Sequence, residues 1–503
     1  MLRLLSCLTL LAAATLVSTP AAANGRFPRS ERLLEDPRDA SHLILGGTFG
    51  LIVSSDAGGS WDYVCEASFA EAGLDLDPLV ALASDGALLA GIYAGISRST
   101  DACHFERTLG KTNRQASPDF SLAASQPGRA IGVLVQLLEG GARENQLYRS
   151  DDDGLTWSPL GPALPDNSIR AVVTVDIAPS DADRVYLSGL DANNEGVLLR
   201  SDDGGETFTV TPIPTDASHD EVPYIAAVDP DDPDALYLRT DEWDFVREDQ
   251  ALHANDALLY SADAGAHFTE LIRKPGKLYG FTFSPDSQEV LIGFGDPVEE
   301  GGGKLTEPEA LGIYRAPKGS GDFVKRYAGA IGCLTWTANG LYACTLEIES
   351  GFSLGLTADL DFELESPPDF TPLLRLQDVR GPLECPACSS GAVCRTYWEA
   401  TCQNWGRSDC VALPPAPPCG DAGAPATSSA DDDGAKASGC ACRSVPTRGS
   451  QGTWWGLVVL SCAGRLVSAK ARRAARALRS GGSPSGRTRT ARALGAPRRR
   501  GRA

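Results

Sequence analysis

Four aspartates are the first groups in this chain that repeat at a spacing capable of chemistry. Asp56, Asp152, Asp203 and Asp263 each stand two residues after a serine (Ser54, Ser150, Ser201, Ser261) and two before a glycine (Gly58, Gly154, Gly205, Gly265). An aromatic residue follows three positions later: Trp61, Trp157, Phe208 and Phe268. A carboxylate beside a hydroxyl can bind a cation or move a proton, and the run Asp151, Asp152, Asp153 invites a calcium reading. The spacing itself describes a tight hairpin. Glycine supplies the positive φ, the carboxylate accepts amides across the turn, and the serine hydroxyl adds a further local bond. The aromatic ring then opens the next strand as buried area. The four aspartates are therefore expected to hold turns, and no metal or cofactor is expected.

Other chemical signatures are sparse. The five histidines (His42, His104, His219, His253, His267) fall at no metal-ligand spacing, and neither G-x-S-x-G nor H-E-x-x-H occurs. Glycoside hydrolysis needs two facing carboxylates, and with 66 acidic residues spacing cannot select a pair.

Strands must position these turns. Residues 169–177 form a β-branched run, Pro179, Ser180 and Asp181 turn the chain, and 184–187, 197–200 and 208–210 complete four strands around the Ser201 motif. The grammar recurs through 224–228, 236–238 and 258–260, and again through 281–283 and 290–292. A shortened motif lies at Ser99, Asp101 and Phe105, with Cys103 near the glycine position. Fainter echoes run from Ile313 to Phe323 and from Leu356 to Phe362. Seven copies at roughly 45 to 60 residues is the period of a repeat array with one four-stranded sheet per unit.

Charge is unevenly divided. The chain before Cys440 carries a net −36 and the rest +15, for a total of −21. So acidic a body repels phosphate, and nucleic acid is not expected as a partner. Arg3, the apolar run 4–17 and the small residues Ala21, Ala22 and Ala23 read as a signal peptide over 1–23. Export permits disulfides. Cys333 and Cys344 flank a hairpin turn at 336–340 and are expected to pair, and Cys65 and Cys103 are expected to bridge neighbouring repeats. Cys385, Cys388, Cys394, Cys402, Cys410 and Cys419 cluster within 381–419, where they are expected to staple a small module with three bridges. An Ala, Pro, Ser and Asp linker follows over 420–438.

The motif resembles the Asp-box (BNR) repeat of sialidases, sortilin-type receptor ectodomains and some secreted glucan hydrolases. The resemblance covers about 30–380 and implies an all-β, seven-bladed β-propeller over 24–380, with each box between the third and fourth strands. It places the boxes at the periphery and leaves ligand binding to the central face. Sialidase activity would further require an arginine cluster, a tyrosine nucleophile and an acid, which the sequence alone does not assemble. The long loop with Trp243, Phe245, Arg247 and His253 carries the aromatic and charged mix that recognises a sugar or peptide, and 296–310 forms a second long loop.

Residues 439–503 resemble the myxobacterial C-terminal sorting signal: Gly439-Cys440-Ala441-Cys442-Arg443, an apolar run 454–464, then arginines. The resemblance implies a sorting protease acting near Cys440, with Cys442 as the companion of that cysteine, and anchoring at the outer cell surface. The apolar run is shorter than the roughly 20 residues of a bilayer-crossing helix, and secretion is the expectation if the signal fails. Together these readings describe an exported, surface-anchored, non-catalytic propeller that binds a glycan, peptide or envelope protein. The competing expectation is a glycosidase of sialidase or glucan-hydrolase type with its carboxylates on the central face.

Overall fold

The computed structural model describes residues 28–417 apart from 70–77, 93–94, 111–114, 118, 139–142, 165–168, 216–220, 242–254, 296–306 and 359–368. Residues 1–23, expected to be a signal peptide, the stretch bearing Trp243, Phe245, Arg247 and His253, Cys419, and the C-terminal stretch with Cys440 and Cys442 lie outside them. The chain divides into a unit ending at Pro425 and a second unit from Ala426, the latter wholly outside the described residues.

Alternating short apolar runs and tight turns generate antiparallel meanders, and here there are seven. Each sheet has its strands in chain order, with a short extra strand, Gln115–Ala116, on the third. The first strands (Ser30–Asp36, Leu79–Leu82, Phe120–Leu122, Ala171–Ala178, Val222–Val228, Lys277–Phe283 and Ile331–Thr337) pack against one another around the axis. This is a seven-bladed β-propeller. Several second and third strands are covered on both faces by neighbouring blades, and their runs are continuously buried rather than alternating. Gly50–Ser54 and Gly340–Thr345 are buried at every position.

Inner strands of adjacent blades share no ladder, and polar side chains tie them together instead. Ile177 donates its backbone N–H to Ser121 Oγ at 3.0 Å, Ile225 to Thr174 Oγ1 at 3.0 Å, and Trp336 to Thr282 Oγ1 at 3.2 Å. The Thr335 hydroxyl donates to the Leu33 carbonyl at 3.2 Å and so joins the seventh blade to the first.

The cysteines correct two expectations. Cys65 pairs with Cys394 and Cys103 with Cys385, so no bridge joins Cys65 to Cys103. For the same reason the cysteine-rich stretch is not stapled only to itself. Two of its cysteines reach back to the first two blades, Cys402–Cys410 closes a short local loop, and Cys388 is also oxidised. The ring brings its far end back to its start, where the returning segment presents Cys394 to Cys65 and Cys385 to Cys103. The local pair Cys333–Cys344 faces across one hairpin and is bonded. The stretch contributes a helix, Cys394–Asn404, whose Trp398 joins Trp405, Tyr63 and Phe49 in one aromatic cluster.

Candidate functional site

The four repeated turns are nearly identical in detail. In the Ser201 copy, Ser201 Oγ donates to Asp203 Oδ1 at 2.7 Å and accepts the Gly205 N–H at 2.8 Å. Asp203 also accepts the Thr207 N–H at 2.9 Å and the Thr207 hydroxyl at 2.6 Å. These donors hold the Asp203 carboxyl down at about 2, the Thr207 hydroxyl contributing most. Asp56 and Asp263 are held at about 2 in the same way, by Ser60 and Ser54 and by His267 and Ser261 respectively. The residue before the glycine is left-handed as well: Ala57, Asp153, Gly204 and Ala264 all have φ between 56° and 72°.

Each turn also grips the preceding blade. Trp61 Nε1 donates to the Leu373 carbonyl of the seventh blade at 3.0 Å, and Trp157 Nε1 to Thr108 Oγ1 of the second at 3.2 Å. Such fully engaged carboxylates act as turn fasteners on the rim, remote in role from a proton-transfer group. The shortened second turn follows the same plan, with Asp101 accepting the Cys103 and His104 amides at 2.9 and 2.7 Å. Among the described residues, Cys402, Asp409 and Cys410 are the one group at metal-ligand distance, but the two cysteines are bonded to each other.

A different set of acids lines the axis. Asp119 lies just before the inner strand of the third blade and Asp176 within that of the fourth, both half-buried, and Arg32 is exposed on the inner strand of the first. Asp119 Oδ2 accepts the Val175 N–H at 2.8 Å. Crowding by protein raises the Asp119 carboxyl to about 7, against the opposing pull of the Val175 amide and the Arg32 charge. Burial also raises Asp176 well above the ordinary carboxylate range, and the Asp119 charge adds to it while Arg32 opposes. The two carboxyls form one coupled pair facing a cation, and the pair retains protons near neutrality. A pair of this kind can both donate and accept hydrogen bonds, as a polyol requires, and can exchange a proton.

A second polar group sits where the long loop between Asp241 and Asn255 begins and ends. Lys277, only 2% exposed, opens the inner strand of the sixth blade between Asp241 and Asp256, which are 7% and 0% exposed. Its Nζ pairs with Asp241 Oδ1 and lies 3.6 Å from Asp256 Oδ1. Asp256 Oδ2 accepts the Leu278 N–H at 2.8 Å, and burial raises its carboxyl to about 7 although Lys277 pulls the other way. Arg239 stacks 4.2 Å over the Tyr224 ring beside this group. Nearby, Arg29 Nη1 donates to the Tyr279 hydroxyl at 2.8 Å.

The turn motifs and the axial acids are thus separate sets. Spacing singled out the former and passed over Asp119, Asp176, Arg32, Lys277 and Asp256. The available signal was a charge inside a β-branched run, as at Asp176 in AVVTVDIA.

No family model matches this chain, and no curated protein matches it. Solved structures resemble parts of it at low identity. An ancestral GH74 enzyme is 14% identical over 70% of this chain and 50% of its own, with a TM-score of 0.46. The Penicillium chrysogenum alpha-L-arabinanase complexed with arabinobiose is 12% identical over 65% and 90%, with a TM-score of 0.34. The Kuenenia stuttgartiensis hydrazine synthase is 12% identical over 68% and 99%, with a TM-score of 0.42. This chain spans only half the length of the GH74 enzyme.

Proposed function

We propose that this is an exported, surface-anchored Asp-box propeller that binds its ligand, a glycan in the first instance, on the axial face without catalysing a reaction. The observation that carries this reading is the employment of the axial acids as fasteners. Asp119 accepts the Val175 amide and Asp256 the Leu278 amide, so each holds one blade to the next. Recognition then falls to Arg32 and to Trp243, Phe245, Arg247 and His253, a set chosen for its chemistry, the last four lying outside the described residues. Aromatic and charged side chains of that kind stack on and hydrogen-bond sugars and peptides. Export by the N-terminal segment and retention through Cys440 are part of the same proposal. Surface labelling of intact cells should detect the protein, and Cys440→Ala should release it into the medium.

One observation favours the glycosidase reading, namely the proton-retaining Asp176 beside Asp119. In that reading Asp176 is the acid and Asp119 the base. A glycan array probed with the full chain separates the two. Retention without released sugar supports the binding module. Sugar release that Asp176→Asn abolishes makes the protein a hydrolase, and silence on both counts directs the search to peptide and envelope-protein partners.

A further inference from the structure

Every blade is built from consecutive strands, so no sheet contains strands from both ends of the ring. Among the described residues the seventh and first blades, like every other neighbouring pair, share no ladder and meet through side chains, with Thr335 on Leu33 and Trp61 on Leu373. The chain leaving the seventh blade adds a second, covalent fastening to this seam. Residues 380–383 run parallel to the outermost strand of the first blade, Asp62–Val64, where Arg380 donates to the Trp61 carbonyl at 3.0 Å, Tyr63 to Gly381 at 2.8 Å and Leu383 to Tyr63 at 2.8 Å. Arg380 also pairs with Asp62.

Beyond that point the strap is bolted down. Cys394–Cys65 fastens it to the first blade and Cys385–Cys103 to the second, with Gly391 donating to the Cys103 carbonyl at 2.8 Å and Phe105 to Ser390 Oγ at 2.9 Å. The Cys65–Cys394 bond joins residues 329 apart, and the covalent circle it completes contains the second to seventh blades entire. We infer that the cysteine-rich segment is a redox-releasable lock on the propeller ring, and that reducing its two long-range bonds opens the seam between the seventh and first blades while the other blades stay folded. Each bond is cleaved by exchange with a dithiol: the protein disulfide gains two electrons and two protons as two thiols, and the dithiol becomes a cyclic disulfide.

Backbone hydrogen exchange on the folded full chain, with and without dithiothreitol, tests this. After reduction, amides in 30–36 and 61–64 should exchange about ten-fold faster or more, while those in 171–212 stay within about two-fold, as expected of sub-global opening. The variant with Cys65, Cys103, Cys385 and Cys394 all changed to Ser should show the same pattern without reductant. Cys333→Ser with Cys344→Ser, which leaves the strap bonded, should keep 61–64 protected. A uniform rise across all blades, or a seam that keeps its protection when both long-range bonds are reduced, would overturn the inference. If the four-fold variant does not fold, reduction of the folded wild type reads the same two outcomes.

Discussion

Replacing Asp119 with Asn should make the protein more stable in mild alkali. The reasoning begins with the proton. A carboxyl that titrates near 7 in the folded chain and near ~3.9 in the unfolded one holds its proton more tightly when folded, by about 4 kcal/mol at most. Because the raised group is an acid, this contribution is complete below about pH 4 and is lost as pH climbs through about 7. Solvent screening at this half-buried site and sharing of the proton with Asp176 reduce the usable part to about 1 to 2 kcal/mol. Asn has a carbonyl that still accepts the Val175 amide and has no proton to lose. Urea denaturation of both proteins at about pH 4 and about pH 8 checks the difference. The variant should gain about 1 to 2 kcal/mol on the wild type between the two conditions. A gap that does not change with pH, or one that moves in favour of the wild type, would refute the placing of a protonated carboxyl at the axis.

Four further outcomes follow from the geometry. Ser201→Ala removes the acceptor of the Gly205 amide and a donor to Asp203, so denaturation should show a loss of about 1 to 2 kcal/mol. Gly265→Ala should cost about 1 to 3 kcal/mol or more, since its φ is +82° and an added Cβ would lie 2.1 Å from Leu198 Cδ2. Gly351→Ala, at φ +79° with nothing within 4 Å, should cost less when both variants are compared by thermal unfolding, and isolates the backbone share. Lys277→Met removes the buried cation between Asp241 and Asp256, leaving Arg239 at 3.7 Å from Asp241, and should destabilise by about 3 kcal/mol. That loss should shrink as pH falls, because protonation discharges the stranded acids, and a pH series of melting temperatures measures it.

How far the residues could be read in advance depended on the distance between partners. Asp203 was interpretable because Ser201, Gly205 and Thr207 lie within four positions of it, and a turn is specified by its own few residues. Cys333 and Cys344 were interpretable because they are 11 apart around one hairpin. Asp119 was not, since the amide it accepts belongs to Val175 of another blade and nothing local marks the position. The bond from Cys103 to Cys385 was misread for the same reason. The nearest cysteines in sequence looked like partners, but the ring returns its far end to its start.

The sequence by itself determined the blade. Its turn chemistry, four-strand grammar and period follow from contacts a few residues long, which spacing encodes. Tertiary structure alone decided the ring: which acids face the axis, that Arg32 of the first blade confronts Asp119 and Asp176 of the third and fourth, and that the cysteine-rich segment fastens the seam. Those relations depend on the number of blades and the way they close upon one another. Closure is a property of the whole circle that no single repeat contains.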